Sequence, residues 1–312
     1  MSDAAPRSTP SRRLRAGAHV LELGARPLLM GIVNASPDSF SDGGRYPTLD
    51  DRLRLAEQLL KDGAEILDVG GESATTGRAP VAVEQEAELV VPLIERLSAG
   101  LGALVSVDTY KPAVARAAIA AGASIVNDVS GLRDPELAAV CAQSGAALVL
   151  MHTRAAPRER RQDPDLYADV TEDVLVFLRE RIALANDAGV AMEQLIVDPG
   201  PDFAKTPQQT IRLLGEVARL HELGRPLLMA ISRKDFIGAL THRAPRERLA
   251  GTLAALAHGT DAGAHIFRVH DVAAASDFLT VRAALAGETS TGRDLALAEE
   301  LRHEELSGRS SR

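Results

Sequence analysis

The chain holds a single cysteine, no long apolar run and no concentrated basic segment, and each shortage removes a class of function. Cys141, alone among 312 residues, cannot close an internal disulfide. Its place in an apolar helical stretch suits a small buried hydrophobe in a reducing cytosol. No window reaches the roughly 18 apolar residues of a membrane span, so no membrane partner is expected. Lys and Arg do not cluster beside aromatics and the net charge is −8, which argues against a nucleic-acid partner and for a small polar ligand. Cys/His sets with zinc spacing and His-Glu-x-x-His are both missing, so a catalytic zinc is not indicated.

What the chain does have is eight short apolar runs, each ending on residues that chemistry can use. They are Leu28–Val33 before Asn34, Glu65–Val69 before Gly70-Gly71-Glu72, Ala103–Val107 before Asp108, and Ser124–Val126 before Asn127-Asp128. Then follow Ala147–Met151 before His152, Leu195–Val197 before Asp198, Pro226–Ile231 before Ser232-Arg233-Lys234, and His265–Phe267 before Arg268-Val269-His270. Runs this short suit strands buried on both faces, and helix-length amphipathic stretches separate most of them. The pattern predicts a (β/α)8 TIM barrel, an α/β fold with its active site at the C-terminal ends of the strands.

The organisation expected is a disordered leader over 1–15, a barrel over 16–288 and a charged C-terminal helix and tail over 289–312. Ser11-Arg12-Arg13 superficially matches a twin-arginine export signal. Glu22 and Arg26 follow it, however, and cleavage there would remove the core. His19–Leu23 and Leu28–Val33, separated by Gly24-Ala25-Arg26-Pro27, suggest a hairpin at the barrel entrance. Helices are expected over Leu49–Asp62, after Pro112, Pro135 and Pro207, over Asp165–Ala188, and from about Arg246 to Asp261.

At the strand ends, Asp108, Asn127 and Asp198 make a set that needs hydrogen-bond donors. The N–H groups of an amino-pyrimidine edge would supply them in one plane. Each of the three also suits a helix cap, a weaker explanation for all three together. Opposite stand Lys234, Arg268 and His270 with Asn34, which suit a phosphate and the Mg²⁺ it brings. For a lone Lys or Arg a solvated ion pair would be the ordinary explanation.

The segments carrying these residues resemble the dihydropteroate synthase family. They are Gly31-Ile32-Val33-Asn34-Ala35-Ser36-Pro37-Asp38-Ser39-Phe40-Ser41-Asp42-Gly43-Gly44, Asp68-Val69-Gly70-Gly71-Glu72-Ser73, Ser106-Val107-Asp108-Thr109 and Val126-Asn127-Asp128, then Leu150-Met151-His152, Asp198-Pro199-Gly200, Ser232-Arg233-Lys234 and Phe267-Arg268-Val269-His270-Asp271-Val272. They run in order from about Leu28 to Val272. The resemblance implies a cytoplasmic, dimeric folate-pathway transferase that joins dihydropterin pyrophosphate to p-aminobenzoate and releases pyrophosphate. It implies that Asp108, Asn127, Asp198 and Lys234 hold the pterin, with Met151 and Ser232 among the substrate contacts. Asn34, Arg268 and His270 would hold pyrophosphate and Mg²⁺, Asn34 as the metal ligand. Phe40 and Asp42 would close over the aminobenzoate, and Asp42, Lys234 and Arg268 form the implied catalytic set.

Four places depart from the family pattern. Ala74-Thr75-Thr76-Gly77-Arg78 replaces the family's Thr-Arg-Pro-Gly after Glu-Ser; Asp235 follows Ser-Arg-Lys where Ser or a basic residue is usual. Asp202 and Ala230 stand where glycines are usual. Asp235 would either repel an anionic acceptor or cap its own helix. Two alternatives therefore stand beside the synthase, namely a homologue using another amine acceptor and a catalytically silent pterin-binding paralogue. Pterin-dependent methyltransferases share the barrel but do not require the Lys234, Arg268 and His270 wall.

Overall fold

The computed structural model describes residues 12–24, 26–35, 46, 48–72, 80–298 and 301. Two strands, β1 (Arg12–Ala16) and β2 (His19–Leu23), form an antiparallel hairpin turned at Gly17. Eight more make one parallel sheet: β3 (Leu28–Asn34), β4 (Ile66–Gly70), β5 (Val105–Asp108), β6 (Ile125–Asp128), β7 (Ala147–Met151), β8 (Leu195–Asp198), β9 (Leu228–Met229) and β10 (Ile266–Val269). Their order is β8-β7-β6-β5-β4-β3-β10-β9. A parallel bridge between Val197 and Leu227, with the Val197 N–H on the Pro226 carbonyl at 3.0 Å, brings the two ends of the sheet together. The expected barrel is therefore observed.

Around it lie α1 (Leu49–Lys61), α2 (Val83–Glu95), α3 (Pro112–Ala120), α4 (Glu136–Ser144), α5 (Val170–Asp187), α6 (Pro207–Gly215), α7 (Asp235–Thr241), α8 (Leu249–Asp261) and α9 (Val272–Leu285). Local chemistry sets their ends. Thr48 and Asp51 form a capping box on α1, Thr206 and Gln209 another on α6, and Pro112 and Pro207 occupy first-turn positions where a missing N–H costs little. Gly145, at φ +76°, closes α4 in the left-handed conformation.

Two cores result from strand alternation. Outward side chains such as Leu67, Val107, Val126 and Phe267 pack beneath the helices. Inward ones, Met30, Ile66, Ile125, Ile196, Leu228 and Ile266, fill the lower barrel together with Leu14, Ala16 and Leu23 of the hairpin. Arg15 fastens the hairpin from outside: Nη2 donates to Gln194 Oε1 at 2.7 Å, while Gln194 Nε2 reaches the Ala146 carbonyl at 2.8 Å.

Several expectations are corrected. Residues 12–15 belong to β1 and not to a disordered leader, because Leu14 and Ala16 alternate into the core. The hairpin partner of His19–Leu23 is β1, whereas β3 joins the barrel. Helix α5 begins at Val170, five residues later than expected, where the Asp169 carboxylate accepts from the Thr171 and Glu172 N–H groups. A 3₁₀ turn over Pro245–Glu247 precedes α8, and the helix considered at Asp235 is α7, which runs to Thr241. Residues 289–298 run as turns and coil instead of a terminal helix.

Candidate active site

Alternation also builds the site. Two residues beyond the inward Ile66, Ile125, Ile196 and Ile266 come Asp68, Asn127, Asp198 and Arg268, which therefore face the interior above the lower core. On β5 the same step leads from Leu104 to Ser106 and then Asp108. The barrel changes from hydrocarbon to polar within one layer.

Arg268 is the centre of that layer. Its Nε donates to Asp68 Oδ2 at 2.6 Å and its Nη2 to Asp108 Oδ2 at 2.8 Å, while Asn127 Nδ2 donates to Asp68 Oδ2 at 3.1 Å. The two walls distinguished in the sequence thus meet across the mouth: Arg268, expected on the anion side, is ion-paired to the pterin-side Asp108. Burial works against the charge on Arg268, but Asp68 and Asp108 outweigh it and its pKa is raised. Asp108 is lifted to about 7, chiefly by burial, with Arg268 opposing and Asp68 reinforcing the shift.

Asp198, at the end of β8, accepts from the Gly200 N–H at 2.7 Å and is raised to about 6 by burial, against the pull of that hydrogen bond and of Lys234 and Lys205. Lys234 holds its ammonium 4.4 Å from the Phe203 ring centroid, and burial depresses its pKa. Ser232 meets His270 twice, its Oγ accepting from the His270 N–H at 3.2 Å and lying 3.0 Å from Nδ1. His270 is pushed down to about 3 by burial and then by Arg233, Arg268 and Lys234, so near neutrality it offers a hydrogen bond and not a charge. Met151 ends β7 fully buried.

Of the two expectations for Asp235, the structure overturns the helix cap: Asp235 does not cap α7, and its carboxylate is 63% exposed and pairs with Arg248 at 3.1 Å. The cap is Asp202, whose Oδ2 accepts from the Asp235 N–H at 2.5 Å. Asp202 and Ala204 both take left-handed backbone, at φ +65° and +52°, where glycine is the usual occupant. Phe40, Asp42 and the Ala74–Arg78 segment lie outside the described residues.

Among the described residues no group of three or more His, Cys, Asp or Glu side chains is placed to hold a metal. Asn34, closing β3, has its Oδ1 3.9 Å from where a Cβ on Gly70 would lie, and the Asp108 Cβ is 3.6 Å from the same point. An amide oxygen and a carboxylate oxygen thus stand on the same side of Gly70, the Asp108 Oδ2 being 3.8 Å from that point. A Mg²⁺ held mainly by phosphate and water, with one amide oxygen from the protein, fits this hard donor set.

A family model described as pterin binding enzyme matches residues 30–270. The dihydropteroate synthase of Bacillus subtilis (strain 168) is 44% identical over 248 residues, covering 79% of this chain and 84% of its own. The chain belongs to the dihydropteroate synthase family of pterin-binding enzymes. A Xanthomonas albilineans dihydropteroate synthase structure with 4-aminobenzoic acid superposes with a TM-score of 0.81 at 44% identity, covering 88% of this chain and 98% of that one. Another from the same organism, in complex with 7,8-dihydropteroate, gives 0.77 at 43% identity and the same coverage. Within this family frame, three side chains of the site went unrecognised in the sequence. Asp68 was visible only as part of a motif, although its parity with Gly70 places it inside the barrel; Phe203 and Lys205 stand in the loop between β8 and α6.

Proposed function

We propose that this chain condenses 6-hydroxymethyl-7,8-dihydropterin pyrophosphate with p-aminobenzoate, giving 7,8-dihydropteroate and pyrophosphate. The observation that carries this reading is the buried cluster of Asp68, Asp108, Asn127 and Arg268, flanked by Asp198 and Lys234, at the mouth of a barrel of this family. A planar amino-pyrimidine offers N–H groups to Asp108 and Asp198, and Lys234 donates to its acceptor atoms. Arg268, held flat by two carboxylates, lies where a ring and its pyrophosphate tail adjoin.

The bond from the pterin methylene to the pyrophosphate oxygen breaks with its electron pair on the leaving group. The arylamine nitrogen then attacks the methylene and loses a proton. Arg268, Lys234 and the His270 hydrogen bond stabilise the departing charge, and no nucleophilic side chain takes part. Bound Mg²⁺ would add charge at the leaving oxygens, with Asn34 as its protein ligand. Phe40 and Asp42 belong to this proposal through the family resemblance alone. The lone buried Cys141 supports a cytoplasmic setting. A homodimer is supported by Leu240, Val281 and Leu285 on α7 and α9, which are 64%, 58% and 84% exposed.

The test is pyrophosphate release by the purified protein with dihydropterin pyrophosphate and Mg²⁺. Release is expected to require p-aminobenzoate and to fall at least tenfold with excess EDTA. Release independent of p-aminobenzoate, with water taking the methylene when no amine is supplied, would instead favour a different acceptor, to be sought by adding other amines, a reading to which the Asp202 carboxylate on the α7 N-terminus lends support. No release alongside pterin binding would indicate a silent paralogue.

A further inference from the structure

Lys205 has no exposed surface, yet it lies in the loop between β8 and α6 and not in a strand. Its Nζ is held inside the protein, 2.9 Å from the Gly200 carbonyl, 3.0 Å from the Phe203 carbonyl and 2.8 Å from His152 Nδ1, and burial lowers its pKa to about 7. Because Nδ1 accepts, His152 carries its proton on Nε2 and donates it to Asp173 Oδ1 at 2.9 Å. Asp173 is in turn gripped by Arg154 through two bonds of 2.9 Å. A buried line of charge and hydrogen bonds therefore runs from the surface, through the end of β7, to the loop that follows β8.

That loop carries several pieces of the site at once. Asp198 faces the ring-binding layer, Asp202 caps α7 beside Lys234, and the Phe203 ring lies against the Lys234 ammonium. Its backbone is contorted: Gly200, Asp202 and Ala204 are all left-handed, at φ +62°, +65° and +52°. A Cβ on Gly200 would fall 2.1 Å from the His152 carbonyl, so the two loops press directly on one another. Carbonyls turned inward by such a path need a donor with several N–H groups, and an unpaired buried carbonyl would push the loop toward a relaxed course. Lys205 is the group that meets this need.

We infer that Lys205 is a positioning residue, whose Nζ locks the 198–205 loop to His152 and so sets Asp198 for the pterin and Asp202 with Phe203 for the acceptor. It touches neither substrate. One group thereby governs both halves of the site, which distinguishes it from a ring-binding side chain acting on the pterin alone. The inference rests on the synthase reading for the identity of the two substrates, while the loop geometry stands apart from it.

Lys205→Met in the full chain removes the donors and keeps an unbranched side chain one atom shorter. The Kd for dihydropterin pyrophosphate, titrated calorimetrically without acceptor, is expected to rise tenfold or more. The KM for p-aminobenzoate is expected to rise similarly, with kcat falling less, in protein whose elution volume and circular dichroism match the parent. Parental Kd and KM beside a lowered melting temperature would overturn the inference and leave Lys205 a purely structural lysine. Should Lys205→Met fail to fold, Lys205→Gln keeps two N–H donors on a side chain one atom shorter. It is expected to give intermediate constants, and parental ones would again refute the role. If the parent itself releases no pyrophosphate, the synthase reading fails, but the pterin Kd of the variants still decides the case for Lys205.

Discussion

At Asp108 and Asp198 the folded protein keeps protons that an exposed aspartate would have lost, since burial lifts the two carboxyls to about 7 and about 6. Between about pH 4 and 7 the folded state consequently binds more protons than the unfolded one, and stability falls as pH rises through that window. Replacing Asp108 by Asn should flatten this pH dependence, so that the stability difference between pH 5 and pH 8 is smaller than in the parent, while leaving the Arg268 guanidinium with Asp68 as its one remaining carboxylate. Thermal denaturation at the two pH values checks it, and the same variant should bind pterin at least tenfold more weakly. These two aspartates were legible as strand-end residues. The ion pair that ties Asp108 to Arg268 was not, because the partners lie 160 residues apart in sequence and only closure of the barrel brings them together. Asp68, 200 residues from Arg268, escaped for the same reason.

Among the elements, the eight barrel strands could be read because runs buried on both faces leave an apolar signature that loops rarely imitate. The hairpin was mispaired. Arg12, Arg13 and Arg15 made β1 look like a solvated tail, whereas its inward residues are only Leu14 and Ala16, too few to show a period. Helix α7 was legible only as a start at Asp235; its extent and its cap were not, because its seven residues fall short of two full turns and the cap, Asp202, comes from another loop. The hairpin has an energetic role that follows from its burial. Leu14→Ala, at a fully buried position in the lower core, is expected to cost about 2–4 kcal/mol. Chemical denaturation should register that loss while kcat of the folded protein stays near the parental value.

Taken whole, the molecule divides its apolar surface unevenly. Most large hydrophobic side chains are covered, but Val281 and Leu285 stand one helical turn apart on the outer face of α9, well exposed. If that face joins two copies, Leu285→Glu should halve the mass measured by light scattering at micromolar concentration; an unchanged mass would place the contact elsewhere or remove it. Charge offers no comparable guide, since the surface ion pairs, such as Arg116 with Glu136 and Arg212 with Asp169, are exposed and individually weak.

The lower core has one more implication. With Leu14, Ala16 and Leu23 wedged among the inward strand residues, the barrel is a blind well with a single opening. Traffic through it must be one-way in depth: whatever reaches the Asp68 and Asn127 layer has to enter before anything that sits above it, and has to leave after. A molecule seated above that layer would bar the exit of the one beneath, so the order of arrival and departure at this mouth is a property of the stopper at the opposite end.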